Sequence, residues 1–313
     1  MKNGGWPQAQ AALAAAPCVI SVILNTDRKA DTLACLASLR ANTYANQRAI
    51  VLDNRSRDGS LAAIQAAFPD VRVIGLETNQ GYAGNNNVGI AEALAQGADW
   101  VLVLNEDTVL AADCLDQLVK VGESDPRIGI VGPMIYHFDE PQIIQSAGGM
   151  LGPYWQSVHL GKDEPDRGQY PEPHAVEWVS GCAILVRRAV IEQVGALDAR
   201  FFYYWEETEW CVRARKAGWR IVHVPAARLW HKGVQRNYRP APSLLYYATR
   251  NRLLLYAKHR APLAAWLVAW LQTLRTLVSW TLRPKWRPLR AHRKAMWQGL
   301  VDFLRQRWGQ MPS

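Results

Sequence analysis

The feature that most constrains this chain is a regular alternation of short apolar runs and amphipathic segments, which begins at Cys18 and continues to about residue 123. The apolar runs predict strands at 18–24, 48–53, 71–76 and 100–104. The segments between them predict helices at about 30–42, 60–67, 86–95 and 112–123. Because these strands show little polar alternation and are joined by helices, they predict a parallel sheet covered on both faces. Ligands of such sheets bind outside the carboxyl ends of the strands, so the residues that follow each strand are the candidates for function.

From Ile128 the pattern becomes less regular. A Gly/Pro-rich stretch is followed by the apolar segment EWVSGCAILVRR and by a helix predicted at 188–194. A further helix is predicted at 206–217, where Gly218 ends it. We interpret this part as strands and loops that lie on the first half, and we expect the body of the protein to end near residue 239.

Charge divides the chain into two parts. The whole sequence has 36 Lys+Arg and 27 Asp+Glu, a formal net charge of +9, and a pI of about 9.4. Residues 240–313 hold thirteen of the basic residues and one acid, Asp302, which makes this tail +12 and leaves residues 1–239 at −3. A basic protein suits nucleic acid, an anionic membrane surface or a phosphorylated substrate as partner. Here the positive charge lies in the tail alone, because the body is slightly acidic, so an inference about such a partner applies to the tail.

The tail is predicted to be helical and amphipathic. Apolar residues recur at helical spacing over 263–282, a stretch nearly long enough to cross a bilayer. Gln272 and Arg275 in its middle, followed by Arg283 and Lys285, favour instead a helix that lies in the membrane interface. Six of the 14 tryptophans accompany the cations of the tail, a mixture suited to lipid headgroups. The alternative is a helical pair that packs on the body or in a homodimer.

The cysteines and the N-terminus indicate a reducing compartment. The five cysteines are scattered and never form a C-x-x-C pair, which argues against a disulfide framework and against a structural zinc site. Residues 1–17 contain an Ala/Gln run without a leucine-rich core, so we interpret them as a flexible leader rather than a signal peptide. We therefore expect a cytoplasmic protein.

Carboxylates follow two of the predicted strands. Asp53 ends the run AIVLD, where it can bind a ligand, although a turn-forming role shared with Asp58 fits equally well. Glu106 and Asp107 come directly after the run WVLVLN. Two adjacent acids repel each other unless a cation or solvent offsets their charges. Mg²⁺ or Mn²⁺ can bind one such carboxylate and complete its shell with water and substrate phosphates, whereas the alternative is a solvated acidic turn.

A third group of acids lies among aromatic residues in FFYYWEETEW. Glu206, Glu207 and Glu209 stand at the start of a predicted helix, where acids also complement the helix dipole. The surrounding Tyr and Trp side chains offer a partly apolar setting, which raises the pKa of a carboxylate towards the range of a general base. His231, in LWHKG, is by itself more typical of a structural histidine than of a ligand.

Seven segments, taken in order, resemble an inverting family-2 glycosyltransferase of the GT-A fold, and bacterial rhamnosyltransferase-like enzymes in particular. They are VISVILNTDRKADTLACLASL, VLDNRSRDGS, NQGYAGNNNVGI, WVLVLNEDT, VSGCAILVRR, FFYYWEETEWCVRARKAGWRI and LWHKG, and the match covers about 18–235. The resemblance implies an α/β fold: a Rossmann-like, mixed but mainly parallel sheet with helices on both faces, followed by C-terminal amphipathic helices. It divides the protein into a nucleotide-binding half (18–125), an acceptor half (126–239) and a basic, Trp-rich helical region (240–313).

On the donor side, the resemblance implies that a nucleotide diphospho-sugar binds. Asp53 would contact the nucleobase, Glu106 the ribose or sugar, and Asp107 the metal and the diphosphate. The backbone of residues 79–87 would approach the nucleotide closely, although a Gly-rich loop that caps a helix is the alternative. Where the family usually has N-Y-N or N-W-N after the first strand, this chain has Asn25-Thr26-Asp27. The implied donor-binding residues are Asn25, Asp53, Asn79, Gly81, Gly84, Asn87, Glu106 and Asp107.

For catalysis, the resemblance implies that Glu207 is the base that activates the acceptor, with Glu206 beside it as the second candidate. The family has an E-D pair at this point and a D-x-D motif where this chain has N-E-D. His231 would complete a Mg²⁺ or Mn²⁺ site with Asp107. The implied acceptor-side residues are Ser180, Gly181, Cys182 and Trp205.

The expected function is metal-dependent transfer of a sugar, with inversion, to a glycan or polyprenyl-diphosphate-linked acceptor in cell-surface polysaccharide synthesis. The leading donor is dTDP-rhamnose, and UDP-hexoses, UDP-galactofuranose and GDP-mannose are alternatives. We expect the enzyme on the inner face of the cytoplasmic membrane, which it would contact through residues 240–313.

Two other classes of protein are considered. A nucleic-acid-binding protein would bind DNA or RNA in a steeply salt-dependent way, but acidic strand ends repel phosphate in the absence of a metal, so we expect no nucleic-acid partner. A nucleotidyltransferase would need a Gly-rich, basic loop after the first strand, and Asn25–Lys29 does not supply one.

Overall fold

In a computed structural model of the protein, residues 16–233 and 239–312 are described. The leader predicted for residues 1–17 lies outside the described residues, apart from its last two positions. The first half contains, in chain order, β1 (Val19–Asn25), α1 (Lys29–Arg40), β2 (Gln47–Asp53), α2 (Ser60–Ala67), β3 (Arg72–Gly75), α3 (Gly81–Ala95), β4 (Trp100–Asn105), β5 (Thr108–Leu110) and α4 (Cys114–Glu123). The predicted bounds are correct to within two residues for each predicted element except α3.

The second half of the body has one long strand at each end and shorter elements between them. They are β6 (Ile128–His137), β7 (Ile144–Ser146), β8 (Gly149–Leu151), β9 (Ser157–His159), β10 (His174–Ala175), β11 (Ala183–Arg187), α5 (Arg188–Val194), α6 (Glu206–Lys216) and β12 (Arg220–His231). The helices predicted at 188–194 and 206–217 are α5 and α6. The C-terminal region contains α7 (Pro242–His259), α8 (Leu263–Leu282) and α9 (Arg290–Leu304).

The main sheet is mixed. Its strand order is β10-β12-β6-β11-β4-β1-β2-β3, with β5 attached to β12 and β7 attached to β6. Strands β4, β1, β2 and β3 are mutually parallel, whereas β11 runs antiparallel between β4 and β6. Helices cover both faces of β1, whose residues Val19, Ile20, Val22 and Ile23 are fully buried. The GT-A sheet expected from the sequence is therefore confirmed.

Helix α3 begins at Gly81, five residues before its predicted start. Glycine is unfavourable inside helices, yet Gly81 and Gly84 both lie in the first turn of this one. Here Gly81 has a φ of +75°, and a Cβ atom at this position would lie 2.3 Å from the backbone oxygen of Phe202. The loop before α6 that contains Phe202, here called the Phe202 loop, packs closely against the first turn of α3. This close packing explains why a glycine stands at the first position of the helix.

The three C-terminal helices pack on one another and on the body. Leu253, Leu255 and Tyr256 of α7 are buried with Ala265 and Ala269 of α8. Among the described residues, no helix is both long enough and apolar enough to span a membrane.

Candidate active site

A cavity of about 460 Å³ opens where β1 and β4 end, beside the first turn of α3. It lies at the carboxyl edge of the parallel strands, where α/β sheets bind their ligands. Its walls come from the ends of β1, β2 and β4, from α3, from the Phe202 loop, from the end of β12 and from α7. The lining residues are Leu24, Thr26, Arg28, Asn54, Asn79, Gly81, Tyr82, Asn85, Asn105, Glu106, Asp107, Phe202, Tyr203, Tyr204, His231, Gly233, Leu244 and Tyr247.

Strand pairing brings His231 to the acidic turn. The turn at Glu106 and Asp107 connects β4 to β5, and β5 pairs antiparallel with the end of β12 so that His231 lies opposite Thr108. The backbone N–H of Lys232 donates a hydrogen bond to the backbone oxygen of Asp107 (2.9 Å). As a result, Asp107 Oδ1 lies 3.1 Å from His231 Nε2.

The environment of this pair fits a divalent cation. Asp107 Oδ1 is buried and, despite the short contact, has no properly aligned hydrogen-bond donor among the described residues. His231 Nδ1 contacts the side-chain oxygen of Gln145 at 2.8 Å. Since an amide oxygen can only accept, we assign the ring hydrogen to Nδ1, and Nε2 of the neutral ring then presents a lone pair to the carboxylate. Two electron-rich atoms at this distance need a proton or a cation between them.

Charge and space around Asp107 support the same interpretation. Burial alone would raise the pKa of Asp107, but its polar neighbours, among them the charged Arg28, outweigh burial and lower the pKa. The carboxylate is thus held in the ionised form that binds metals. A Cβ atom on Gly233 would lie 2.3 Å from Asp107 Oδ2 and 3.3 Å from His231 Nε2, so a glycine keeps this space open. Among the described residues there is no cluster of three acidic, His or Cys side chains, and a cation here would take its other ligands from phosphate and water.

Glu106 and Arg28 carry the remaining charge at the strand ends. Burial, together with the neighbouring Asp107 carboxylate, raises the pKa of Glu106 to about 7. Arg28 lines the cavity and forms an ion pair with Asp31 (3.2 Å) at the start of α1. The cavity therefore contains both a carboxylate edge and a cation suited to phosphate.

Asn25 and Asp53 lie behind the cavity lining rather than on it. Both side chains are buried, and Asn25 Nδ2 donates to Asp53 Oδ1 at 2.8 Å. Thr32 Oγ1 donates to the oxygen of Asn25 at 2.8 Å, and the backbone N–H of Ser56 donates to Asp53 Oδ2 at 3.2 Å. Their neighbours Thr26 and Asn54 line the cavity. Asn25 and Asp53 hold the ends of β1 and β2 together, so their predicted contact with the donor stays a prediction.

The predicted donor-side residues in and just before α3 divide into two groups. Asn79 and Gly81 line the cavity, and Asn79 Oδ1 accepts a hydrogen bond from the backbone N–H of Gly81 at 2.9 Å. Gly84 and Asn87 are not part of the lining. Asn87 instead exchanges two hydrogen bonds with the backbone of Leu197, at 2.7 and 3.0 Å, which ties α3 to the segment before the Phe202 loop.

A second cavity of about 250 Å³ adjoins the first. The two share Tyr82, Asn105, Tyr203, Tyr204 and His231 as walls. The second cavity is also lined by Gln145, His159, Lys162, Ser180, Gly181, Cys182, Glu206 and Glu207. The predicted acceptor-side residues other than Trp205 thus lie together with both candidate bases.

The two glutamates at the start of α6 differ in exposure and in bonding. Glu206 is almost completely buried, and its Oε2 has no hydrogen-bond partner among the described residues. Glu207 is more exposed, lies beside Gly181 and accepts a hydrogen bond from Thr208 Oγ1 at 3.0 Å. Burial and the charge of Glu207 raise the pKa of Glu206 well above its ordinary value, and burial also raises the pKa of Glu207. The two glutamates thus differ in burial and in hydrogen bonding, and the choice of Glu207 over Glu206 as the base stays a prediction.

The loop before α6 has an unusual backbone. Phe202, Tyr204 and Trp205 have φ angles of 63°, 73° and 75°, in the left-handed region that non-glycine residues avoid. Such residues cost of the order of 1–3 kcal/mol each, so the surrounding structure has to hold them. Trp205 packs against the C-terminal helices and lies on neither cavity.

Several residues of the site were not predicted from the sequence. Arg28 lies in the turn between β1 and α1 and could have been found by the same strand-end rule that identified Asp53. Gln145, Leu244 and Tyr247 lie far from any motif, in β7 and in α7. Glu209, which was considered with the other acids, instead forms ion pairs with Arg213, Lys258 and His259.

Comparison with known proteins places this geometry in a family. The model of the family described as "Glycosyl transferase family 2" matches residues 18–195. The N-acetylglucosaminyl-diphospho-decaprenol L-rhamnosyltransferase of Mycobacterium tuberculosis (strain CDC 1551 / Oshkosh) is 33% identical over 253 residues, which cover 73% of this chain and 82% of that protein. The dTDP-rhamnosyl transferase RfbF of Shigella flexneri is 25% identical over 222 residues, covering 68% and 72%.

Two solved structures share the fold. The mannosyltransferase PcManGT of Pyrobaculum calidifontis, in complex with GDP-Man and Mn²⁺, superposes with a TM-score of 0.59 at 15% identity, covering 92% of this chain and 87% of that one. GalNAc-T7 with UDP, GalNAc and Mn²⁺ gives a TM-score of 0.59 at 17% identity, covering 75% and 47%. The protein is therefore a glycosyltransferase of family 2, similar to rhamnosyltransferases and built on the GT-A fold.

Proposed function

We propose that the protein is a metal-dependent inverting glycosyltransferase, with rhamnose from dTDP-rhamnose as the leading sugar and a polyprenyl-diphosphate-linked glycan as acceptor. The observation that carries this proposal is the junction of the two cavities. The larger one ends at Asp107 and His231, the smaller one contains Glu206 and Glu207, and both share His231 and Tyr82. A donor in the first and an acceptor in the second would meet at this junction.

In the proposed reaction, Glu207 removes the proton of an acceptor hydroxyl. The hydroxyl oxygen bonds to the anomeric carbon from the face opposite the nucleotide, while the bond from that carbon to the diphosphate oxygen breaks. The nucleoside diphosphate leaves with the electron pair, so the configuration inverts without a covalent enzyme intermediate. A cation held by Asp107 and His231 would offset the charge on the leaving diphosphate. Arg28, which also lines the larger cavity, would add a second positive charge, because a guanidinium can bind phosphate oxygens.

The relatives guide the choice of substrates. The mycobacterial relative is named for an L-rhamnosyl transfer to a diphospho-decaprenol acceptor, and the Shigella relative for dTDP-rhamnose. The two solved structures contain GDP-Man or UDP together with Mn²⁺, which supports a divalent metal and keeps UDP-hexoses, UDP-galactofuranose and GDP-mannose as alternative donors.

A polyprenyl-linked acceptor would be presented at a membrane, and we propose that α8 rests on an anionic membrane surface. One face of α8 packs inward through Ala265, Ala269, Thr273 and Leu277. The opposite face exposes an apolar row, with between 46% and 74% of each side chain accessible: Leu263, Leu267, Leu271, Leu274, Val278 and Leu282. Cations and Trp297 of α9 border this row along a groove of about 580 Å³. Such a combination suits the boundary between headgroups and acyl chains, on the inner face of the cytoplasmic membrane.

A panel of nucleotide sugars, measured by thermal shift with and without Mn²⁺, tests the proposed function. The true donor should raise the melting temperature by mass action, and more strongly with the metal. Sugar transfer to a synthetic polyprenyl-diphosphate acceptor should then be followed by mass spectrometry, with Glu207→Gln as the matched variant that retains donor binding. Transfer that continues undiminished in Glu207→Gln and Asp107→Ala would contradict the proposal, as would the absence of stabilisation by every nucleotide sugar.

A further inference from the structure

The loop of residues 201–205 contains the left-handed Phe202, Tyr204 and Trp205, and we call it the strained loop. It is held by two buried polar side chains of α7. Arg250 and Asn251 are both completely buried. Asn251 Nδ2 lies 2.7 Å from the backbone oxygen of Phe201, 2.8 Å from that of Tyr203 and 2.7 Å from that of Tyr204. The two N–H groups of one side-chain amide are therefore shared among three backbone acceptors, in a stretch that lies between a 3-10 turn ending at Phe201 and the start of α6.

Arg250 strengthens the same contact. Its Nη2 donates to the backbone oxygens of Arg200 (3.2 Å) and Phe201 (3.1 Å). Its Nε donates to Asn251 Oδ1 at 3.0 Å, which fixes the orientation of the amide so that the NH₂ group of Asn251 faces the loop.

A second group of contacts from α7 involves Glu209, which follows Glu206 and Glu207 in sequence. Lys258 and His259 bind the buried carboxylate of Glu209 at 2.8 and 2.9 Å, and Lys258 also binds Asp198 at 2.6 Å. Helix α7 thus contacts the chain before the loop, along the loop and after the glutamates. The segment 198–209, which includes Glu206 and Glu207, is therefore attached to α7 at both ends and through the backbone of residues 200–204.

The position of this loop determines the walls that the two cavities share. Tyr203 and Tyr204 line both cavities, and Phe202 packs against Gly81 and stacks on Tyr247 at 5.4 Å between ring centroids. Glu206 and Glu207 follow one residue later. A shift of the loop would move the junction and the proposed base together.

We propose that Arg250 and Asn251 are positioning residues, which hold the strained loop in the conformation that brings Glu207 to the junction of the cavities. They contact no substrate and act through the backbone of residues 200–204. The proposal rests on the proposed function in that it takes Glu207 as the base. It assigns to the C-terminal region a part in the chemistry, in addition to the proposed contact with a membrane.

The test compares three variants of the full-length protein. Asn251→Asp places a carboxylate, which cannot donate, against three backbone oxygens, and Asn251→Ala removes the donor without adding charge. Arg252→Ala is the matched control, because Arg252 lies one residue further along α7 and binds Ala269 and Thr273 of α8 instead of the loop. We expect kcat to fall by about 100-fold in Asn251→Asp, since small displacements of reacting groups have effects of this size. Arg252→Ala should keep a kcat close to that of the wild type.

Hydrogen exchange and pH profiles separate positioning from general stability. The amides of residues 200–207 should exchange faster in both Asn251 variants, whereas in Arg252→Ala the faster exchange should lie in α8. In Asn251→Ala the acid limb of the kcat profile should also move to lower pH, because a loosened loop admits water to Glu207. Wild-type exchange in residues 200–207, or a loss of kcat no larger than in Arg252→Ala, would overturn the proposal.

Two further outcomes are decisive. If both Asn251 variants unfold while Arg252→Ala folds, Asn251 holds the whole domain and the positioning role is refuted. If the wild type transfers no sugar from any nucleotide sugar, the proposed function fails, and the exchange comparison still decides whether α7 holds the loop.

Discussion

Asp107 and His231 are separated by more than half of the body in sequence, yet Asp107 Oδ1 lies 3.1 Å from His231 Nε2. The contact depends on the antiparallel pairing of β5 with the end of β12. It is the centre of the proposed metal site, and its neighbours Gln145 and Gly233 provide the sharpest tests of that site.

Replacing Gln145 by Ala should weaken Mn²⁺ binding about 10- to 100-fold, the usual effect of removing a group that orients a metal-binding histidine. Without the contact to Nδ1, the His231 ring is free to turn its lone pair away from Asp107. Calorimetric titration of Mn²⁺ in the presence of a nucleoside diphosphate measures the change, with Gln96→Ala on the surface of the body as the control. Unchanged affinity in Gln145→Ala would argue against His231 as a ligand.

Replacing Gly233 by Ala should lower metal-dependent activity by about 100-fold, as displacement of a reacting group does. The added methyl group would lie 2.3 Å from Asp107 Oδ2, so the carboxylate has to move. Gly75→Ala is the matched control, because a Cβ atom there meets nothing within 4 Å. Steady-state rates at saturating Mn²⁺, with melting temperatures measured in parallel, distinguish a displaced ligand from an unfolded protein. Equal rates in the two variants would contradict the assignment of Asp107.

The proposed base predicts how the rate depends on pH. Burial raises the pKa of Glu207 above its ordinary value of 4.5, and the base acts only when ionised, so kcat should fall as the pH drops through that raised pKa. Glu207→Gln should lose about 10²–10⁴ in kcat. Glu206→Gln should preserve the acid limb, because the proposal assigns the base to Glu207 and Glu206 is almost completely buried. A larger loss in Glu206→Gln than in Glu207→Gln would exchange the two roles.

Buried histidines predict a loss of stability in acid. Burial lowers the pKa of His223 to about 3 and that of His159 to about 4, both below the ordinary 6.5. As the pH falls below about 6.5, the unfolded chain binds protons that the folded protein refuses, so the free energy of unfolding decreases by about 1.4 kcal/mol per pH unit for each histidine. Urea denaturation between pH 7 and pH 4.5 should show a shallower decline in His223→Leu than in the wild type. An identical decline would mean that His223 does not contribute.

The exposed row on α8 predicts binding to vesicles. Replacing Leu267, Leu271 and Leu274 together by Gln should abolish flotation with vesicles that contain anionic lipid, because the buried apolar area and the attraction of nearby cations act together. Leu61→Gln is the control, since Leu61 is an exposed leucine on α2. Transfer to a water-soluble acceptor should be unaffected in the triple variant. Flotation equal to that of the wild type would refute the membrane surface.

The sequence by itself determined the local structure and the chemistry at the strand ends. Apolar runs and helical spacing depend on neighbours a few residues away, so β1 to β4, α5 and α8 could be predicted closely. The resemblance of the motifs was sufficient for the GT-A fold and for a glycosyltransferase of family 2. Among the predicted elements, only α3 begins more than two residues from its predicted start. The reason is that Gly81 contacts Phe202, which is distant from it in sequence.

The tertiary structure alone decided which distant side chains support the site. Gln145 reaches His231 because β7 pairs with β6, and Tyr247 reaches the larger cavity because α7 packs against the Phe202 loop. No hydrophobic period or motif in the sequence marks Arg250 and Asn251. Their side chains matter because they donate hydrogen bonds to backbone oxygens about 50 residues away in sequence. By its charge, α7 belongs to the basic tail and is separate from the body. In the folded protein, buried side chains of α7 support the site, because the strained loop needs hydrogen-bond partners that its neighbours in sequence cannot provide.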